Sequence, residues 1–286
     1  EMLRSLVGSE MCIRDRLYTI KPTYVKVNVM QIQSGQILKG KNIVITGGSR
    51  GIGRAMAEKF LEEGAKVLIT GRNQEHLKEA MESINNPSLI TKVFNSENIN
   101  AVPEFNEYCF RQMGTVDVLV SNAGISLHEG NILNVTSEGF DRTITTNLKS
   151  HYFISKAFLE RKIKESREGV LLFITSKDGY VCNETPYGLT KASVNSLVGG
   201  LSTAYYRHGI RVNAIAPGVT ITDMTAVYAK HADGNMHASN YAGRNFLPEE
   251  VAEVACFMVS DASKCISGQI IFTDGGDHIK SNAEAF

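Results

Sequence analysis

From Lys39 onward, short apolar runs alternate with stretches of helical period. Ile43-Val44-Ile45, Val67-Leu68-Ile69, Val116 to Val120, Val170 to Ile174, Arg211 to Ile215 and Gln269 to Phe272 predict strands. Leu89-Ile90 with Val93-Phe94 predicts a weaker one. Between them, Arg54 to Glu63 predicts a helix with Ala55, Met56, Phe60 and Leu61 facing the core and Gly64 as its stop. Gln74 to Ser83, Val102 to Met113, Ser137 to about Lys164, Pro186 to His208 and Pro248 to Ser260 predict the remaining helices. Strands apolar along almost their whole length are buried on both faces, so the pattern predicts α/β architecture: one doubly wound parallel sheet covered by helices on both sides. A ligand then belongs at the carboxyl ends of the strands.

Composition narrows this picture. The 286 residues carry 30 basic and 30 acidic side chains, and no basic run points to nucleic acid or an anionic membrane surface. The longest apolar runs are strand-sized, so no membrane-spanning helix is expected. Cys12, Cys109, Cys182, Cys256 and Cys265 are scattered without a Cys-x-x-Cys pair, which fits reduced thiols of a cytoplasmic protein and no metal site. Residues 1–38 lack the pattern of the rest. Gly8 to Arg16 resembles translated sequencing-adapter DNA, so this segment is expected to be a non-native or disordered extension, with 39–286 as the functional domain.

The first strand runs into Thr46-Gly47-Gly48-Ser49-Arg50-Gly51-Ile52-Gly53, a glycine loop that opens a helix. Glycines there let the backbone approach a pyrophosphate, and the helix start offers free N–H groups to it. An NAD site usually carries an acid at the end of the second strand to hold the ribose hydroxyls. Here that position reads Thr70-Gly71-Arg72. Arg72 and Arg50 supply guanidinium groups suited to a 2′-phosphate, which predicts NADP(H) over NAD(H); two ordinary surface arginines are the alternative.

Tyr187 and Lys191 stand four residues apart at the start of a predicted helix, hence on one face. A free phenol titrates near 10, and bringing it to about 7 takes roughly 4 kcal/mol. A cation at about 4 Å in an effective dielectric of about 20 provides that much. Ser176, eleven residues before Tyr187, is placed to polarise a substrate oxygen, although it also reads as a turn serine and Thr175 stands beside it. Asn147 by itself is a polar helix residue, and Asn122 a strand-end residue that satisfies backbone groups.

Taken together, the glycine loop, Asn122-Ala123-Gly124, Asn147, Ser176, Tyr187-x-x-x-Lys191 and Pro217-Gly218 occur in the order and spacing of the classical short-chain dehydrogenase/reductase family, which the chain resembles from about Lys39 to Gly276. The resemblance implies a single Rossmann-type α/β/α domain with a seven-stranded sheet, assembled as tetramers or dimers through the two long helices. It implies Asn147, Ser176, Tyr187 and Lys191 as catalytic, with Asn147 holding a water of the proton relay and Lys191 also binding the nicotinamide ribose. It implies cofactor contacts from Gly47, Ser49, Arg50, Gly51, Ile52, Gly53, Arg72, Asn122, Ala123, Gly124, Tyr187, Lys191, Pro217, Gly218, Val219 and Thr222.

Two departures stand out. The segment from Ser176 to Tyr187 is short for the family, and Asn95 or Ser96 replaces an aspartate near the adenine. The stretch from Pro217 to Met224 is similar to that of bacterial 3-oxoacyl-[acyl-carrier-protein] reductases, with Thr222 as the cofactor contact. Thr225 to Phe246 reads as a lid. Its His231 and His237 lack a carboxylate constellation for metal, and it carries only Lys230 and Arg244 as basic groups. The expected activity is NADP(H)-dependent interconversion of a small-molecule ketone and a secondary alcohol. A 3-oxoacyl-thioester reductase is the narrower alternative, and a non-catalytic NADP(H) sensor the alternative from another class.

Overall fold

A computed structural model describes residues 35–226 and 241–279, all within one compact unit, Gln33–Phe286. Cys12, His231, His237 and Lys230 lie outside the described residues, as does most of the expected lid.

Seven strands form one sheet: β1 (Asn42–Ile45), β2 (Lys66–Gly71), β3 (Leu89–Val93), β4 (Val118–Ser121), β5 (Gly169–Ile174), β6 (Ile210–Pro217) and β7 (Ile270–Thr273). Every pairing is parallel and the order is β3-β2-β1-β4-β5-β6-β7. The chain winds outward from β1 in one direction and from β4 in the other, so a crevice opens at their carboxyl ends.

The helices are α1 (Gly51–Glu62), α2 (Gln74–Ile84), α3 (Val102–Met113), α4 (Ser137–Ile144), α5 (Ser150–Glu165), α6 (Pro186–Tyr205) and α7 (Pro248–Val259). Alternate residues of each strand serve opposite cores. Ile43, Ile45, Val67, Ile69 and Val120 pack with Met56 and Phe60 of α1 and with Val251 and Val259 of α7. Val44, Leu68, Leu119, Leu171 and Phe173 pack with Phe105 of α3, Phe158 of α5 and Val194 and Val198 of α6. Two-sided burial is why the strands read as nearly unbroken apolar runs.

Helix α3 has the predicted bounds, while α1 begins earlier than its apolar pattern, at Gly51. The expected helix over Ser137 to Lys164 is two α-helices joined by a π turn, Thr145–Lys149. Its widened turn carries Asn147. β4 starts at Val118, two residues later than predicted, because pairing with β1 begins at Ile43↔Val118 and the Asp117 carboxylate accepts the Asn42 N–H at 2.9 Å.

Candidate active site

The crevice holds a cavity of about 440 Å³, bounded on one side by the glycine loop. Thr46 Oγ1 accepts the N–H groups of Asn122 (3.0 Å) and Ala123 (3.2 Å), while Asn122 Nδ2 donates to the carbonyls of Thr46 (3.0 Å) and Gly47 (2.9 Å). These bonds tie the end of β1 to the turn after β4. The loop has no room for side chains: a Cβ on Gly53 would fall 2.2 Å from the Gly47 carbonyl oxygen. At Gly51, φ is +56° and Thr222 Cγ2 lies 3.1 Å from where a Cβ would sit. Helix α1 starts without a side-chain cap and without an acid in its first turn. Its first N–H groups therefore face the crevice as a ready anion cradle, which fits the diphosphate of a dinucleotide.

At the other end of the cradle, Arg50 and Arg72 line the cavity, each beside a carboxylate. Arg50 Nη1 is 2.7 Å from Asp223 Oδ2 and Arg72 Nη1 is 3.8 Å from Glu97 Oε1. Both arginines are more than half exposed, so these contacts contribute little to stability and yield readily to another anion. Glu97 Oε1 also accepts from Arg142 Nε (3.4 Å) and Thr146 Oγ1 (3.3 Å).

Tyr187, Lys191 and Ser176 meet at the deep end. Thr185 caps α6 through its Oγ1 and Pro186 occupies the first helical turn, which starts the helix just before Tyr187. Lys191 Nζ sits 5.5 Å from the Tyr187 ring centroid and donates to the Ile174 carbonyl at 2.9 Å. Burial pulls the Lys191 ammonium down to about 8. Ser176 follows β5, and its Oγ accepts the Asp178 N–H at 3.1 Å. Thr175 also borders the cavity, but its hydroxyl is engaged, donating to the Ile215 carbonyl at 3.1 Å. Asn147 is fully buried and does not line the cavity. Its amide spans Ile125, with Nδ2 donating to the carbonyl and Oδ1 accepting the N–H, both at 2.8 Å.

The family model described as enoyl-(acyl carrier protein) reductase matches residues 47–278. The chain belongs to the short-chain dehydrogenase/reductase family. It is 33% identical over 248 residues to L-rhamnose 1-dehydrogenase (NADP(+)) of Thermoplasma acidophilum, covering 83% of this chain and 96% of the relative. It is 33% identical over 249 residues to the 3-oxoacyl-[acyl-carrier-protein] reductase of Chlamydia trachomatis, covering 84% and 98%. The crystal structure of 3-ketoacyl-(acyl-carrier-protein) reductase from Brucella melitensis complexed with NADH superposes with a TM-score of 0.76 at 27% identity, covering 85% of this chain and all of that one. As a short-chain dehydrogenase/reductase the protein is a nicotinamide-dependent oxidoreductase acting on CH–OH groups, and the predicted Rossmann-type seven-stranded sheet is the observed one.

Against the family frame, the structure gathers all the predicted cofactor contacts on the cavity wall except Val219, whose place is taken by Thr220. Among the described residues no group of acids, histidines and cysteines has metal-site geometry, and no helix is long and apolar enough to cross a membrane. Sequence reading missed Glu97, which comes from the chain after β3, and His151, one helical turn after Asn147. His151 is buried, with Nδ1 hydrogen-bonded to Ser121 Oγ and Nε2 without a hydrogen-bond partner. Burial, reinforced by the Lys191 charge and opposed only in part by the Ala123 main chain, pushes its imidazole down to about 3.

Proposed function

We propose that the protein is an NADP(H)-dependent oxidoreductase that interconverts a small-molecule ketone and a secondary alcohol, with Tyr187 as the acid–base group. The observation that carries this reading is the buried Lys191 ammonium, held by the Ile174 carbonyl and facing the Tyr187 ring from 5.5 Å. In the reducing direction Tyr187 gives its phenolic proton to the substrate oxygen as that oxygen gains charge. Ser176 Oγ donates a hydrogen bond to the same oxygen, and the Lys191 charge stabilises the phenolate that remains. The nicotinamide, when bound, supplies the hydride to the carbonyl carbon. In oxidation the phenolate takes the proton back from the alcohol.

Asn147 contributes by holding Ile125, and so the turn after β4, at the floor of the crevice. Helix α1 and the glycine loop hold the diphosphate, and Arg72 with Arg50 takes the 2′-phosphate. The Thermoplasma relative named with NADP(+) agrees with that choice, whereas the Brucella reductase is recorded with NADH, so the preference rests on the arginines.

The narrower reading, reduction of a 3-oxoacyl thioester, fits the 33% identity to the chlamydial reductase, a likeness that L-rhamnose 1-dehydrogenase equals. A homo-oligomer, dimer or tetramer, fits the exposed Tyr152 and Phe153 of α5 and Leu189 of α6, and a cytoplasmic location fits the free cysteines. A monomer by light scattering would contradict the oligomer.

The deciding experiment follows NADPH oxidation across ketones, sugars, steroids and 3-oxoacyl thioesters, with Tyr187→Phe as control. Turnover that falls by about a thousandfold in Tyr187→Phe while NADPH binding is retained is the expected result. Tight NADPH binding without turnover of any substrate would replace this reading with a sensor.

A further inference from the structure

A second cavity, of about 810 Å³, lies at the opposite end of the sheet, where β4, β5 and β6 begin. Six cations line it: Lys41, Lys162, Arg167, Arg207, Arg211 and Lys264. Only three carboxylates face them, Asp117, Glu168 and Asp261, which leaves three net positive charges in a chain whose net charge is zero.

Two of these cations are buried. Lys162 is 0% exposed and donates to the Val116 carbonyl at 3.1 Å. Arg211 is 7% exposed and donates to the carbonyls of Met258 (3.2 Å), Ile266 (3.3 Å) and Ser260 (3.1 Å). Among the described residues no carboxylate lies within ion-pair distance of either. Asp261 is engaged by Lys41 at 3.0 Å and Lys264 at 3.4 Å, and Asp117 by the Asn42 N–H. A buried cation with no carboxylate in ion-pair contact is costly, and the Lys162 ammonium, with the Val116 carbonyl as acceptor, has N–H capacity beyond that one bond. Desolvation accordingly lowers the affinity of both groups for their protons.

The carbonyl ends of α5, α6 and α7 account for part of the charge, since each helix end carries about half a negative charge. Three such ends offset roughly half of the excess. We propose that this cavity binds a multivalent oxyanion, the phosphate or pyrophosphate group of a small molecule, with Lys162 and Arg211 at its floor and the exposed Arg167 and Arg207 at its rim. Its volume is that of an ordinary small-molecule pocket.

Calorimetric titration of the full chain with inorganic pyrophosphate tests this, with sodium chloride of equal ionic strength as the blank. The nucleotide crevice is itself an anion cradle, so two double variants separate the sites. Arg167→Gln/Arg207→Gln should weaken pyrophosphate binding by about tenfold with an unchanged melting temperature, and Arg50→Gln/Arg72→Gln should leave one binding event intact. Equal binding by wild type and the rim variant, loss of all binding in the crevice variant, or heats no larger than the blank would each overturn the proposal. None of these outcomes depends on which nicotinamide cofactor the enzyme prefers.

Discussion

The amide of Asn147 clasps the main chain of Ile125 from both sides, donating to its carbonyl and accepting its N–H at 2.8 Å each. Ile125 directly follows Asn122-Ala123-Gly124, so this clasp sets the height of the crevice floor. Asn147→Ala strips partners from two half-buried backbone groups and should cost about 1–3 kcal/mol in urea denaturation. Asn147→Asp keeps the acceptor but sets a carboxylate oxygen against the Ile125 carbonyl, so it should bind cofactor more weakly than Asn147→Ala. Equal cofactor affinity in both variants and wild type would mean the floor does not depend on this clasp.

Arg72 and Glu97 test cofactor choice from opposite directions. Arg72→Asp should raise the Michaelis constant for NADPH far more than for NADH. Glu97→Gln removes the carboxylate that holds Arg72 and Arg142, so it should lower the constant for NADPH by several-fold, about 1 kcal/mol, and leave NADH nearly unchanged. Parallel shifts for the two cofactors would remove these residues from the 2′-phosphate site.

Lys191 sets stability against chemistry. Its ammonium loses its proton near 8 when folded and near 10.5 when unfolded, so the unfolded chain binds more protons between those values. Stability from this group therefore rises as pH increases through that window, by about 3 kcal/mol, and is at its lowest below about 8. Lys191→Met should be the more stable protein at neutral pH and the less active one, and the stability difference should shrink as pH approaches 10.5. Denaturant titrations at stepped pH read this directly.

His151 works at the acid end. Its folded value of about 3 lies below the ordinary 6.5, so it contributes stability above 6.5 that is lost as pH falls towards 3. The full loss amounts to about 5 kcal/mol. His151→Gln keeps a polar group towards Ser121 and should flatten the acid limb of the stability curve. An acid limb identical to that of wild type would show that the imidazole takes up no proton on unfolding.

Much of this was legible in the chain. Val102, Phe105, Cys109, Phe110 and Met113 form an apolar stripe stopped by Gly114, and α3 has the bounds that pattern predicts. The start of α1 was less legible because glycines carry no apolar signal; Gly53 is glycine because Gly47 and Asn122 leave no room for a Cβ there. Glu97 escaped because the acid expected after β3 belongs at Asn95 or Ser96, and nothing in the sequence ties the next carboxylate to Arg72. Pairing of Gly71 with Val93 brings the chain after β3 alongside Arg72, a neighbour that only sheet register reveals. His151 was within reach, since a spacing of four from Asn147 places both on one helical face. The cavity lined by six cations was invisible because its members come from separate segments joined only by the fold.

The Ile174 carbonyl that anchors Lys191 closes β5, two residues before Ser176. Gly179, just beyond Ser176, lies against the main chain of Lys191 so closely that a Cβ there would sit 2.6 Å from the Lys191 carbonyl carbon. The lysine and the serine are thus two arms of one bracket bolted between β5 and α6. Substrate variety within this scaffold has to be generated on the far side of the crevice, because reshaping the near side moves both arms together.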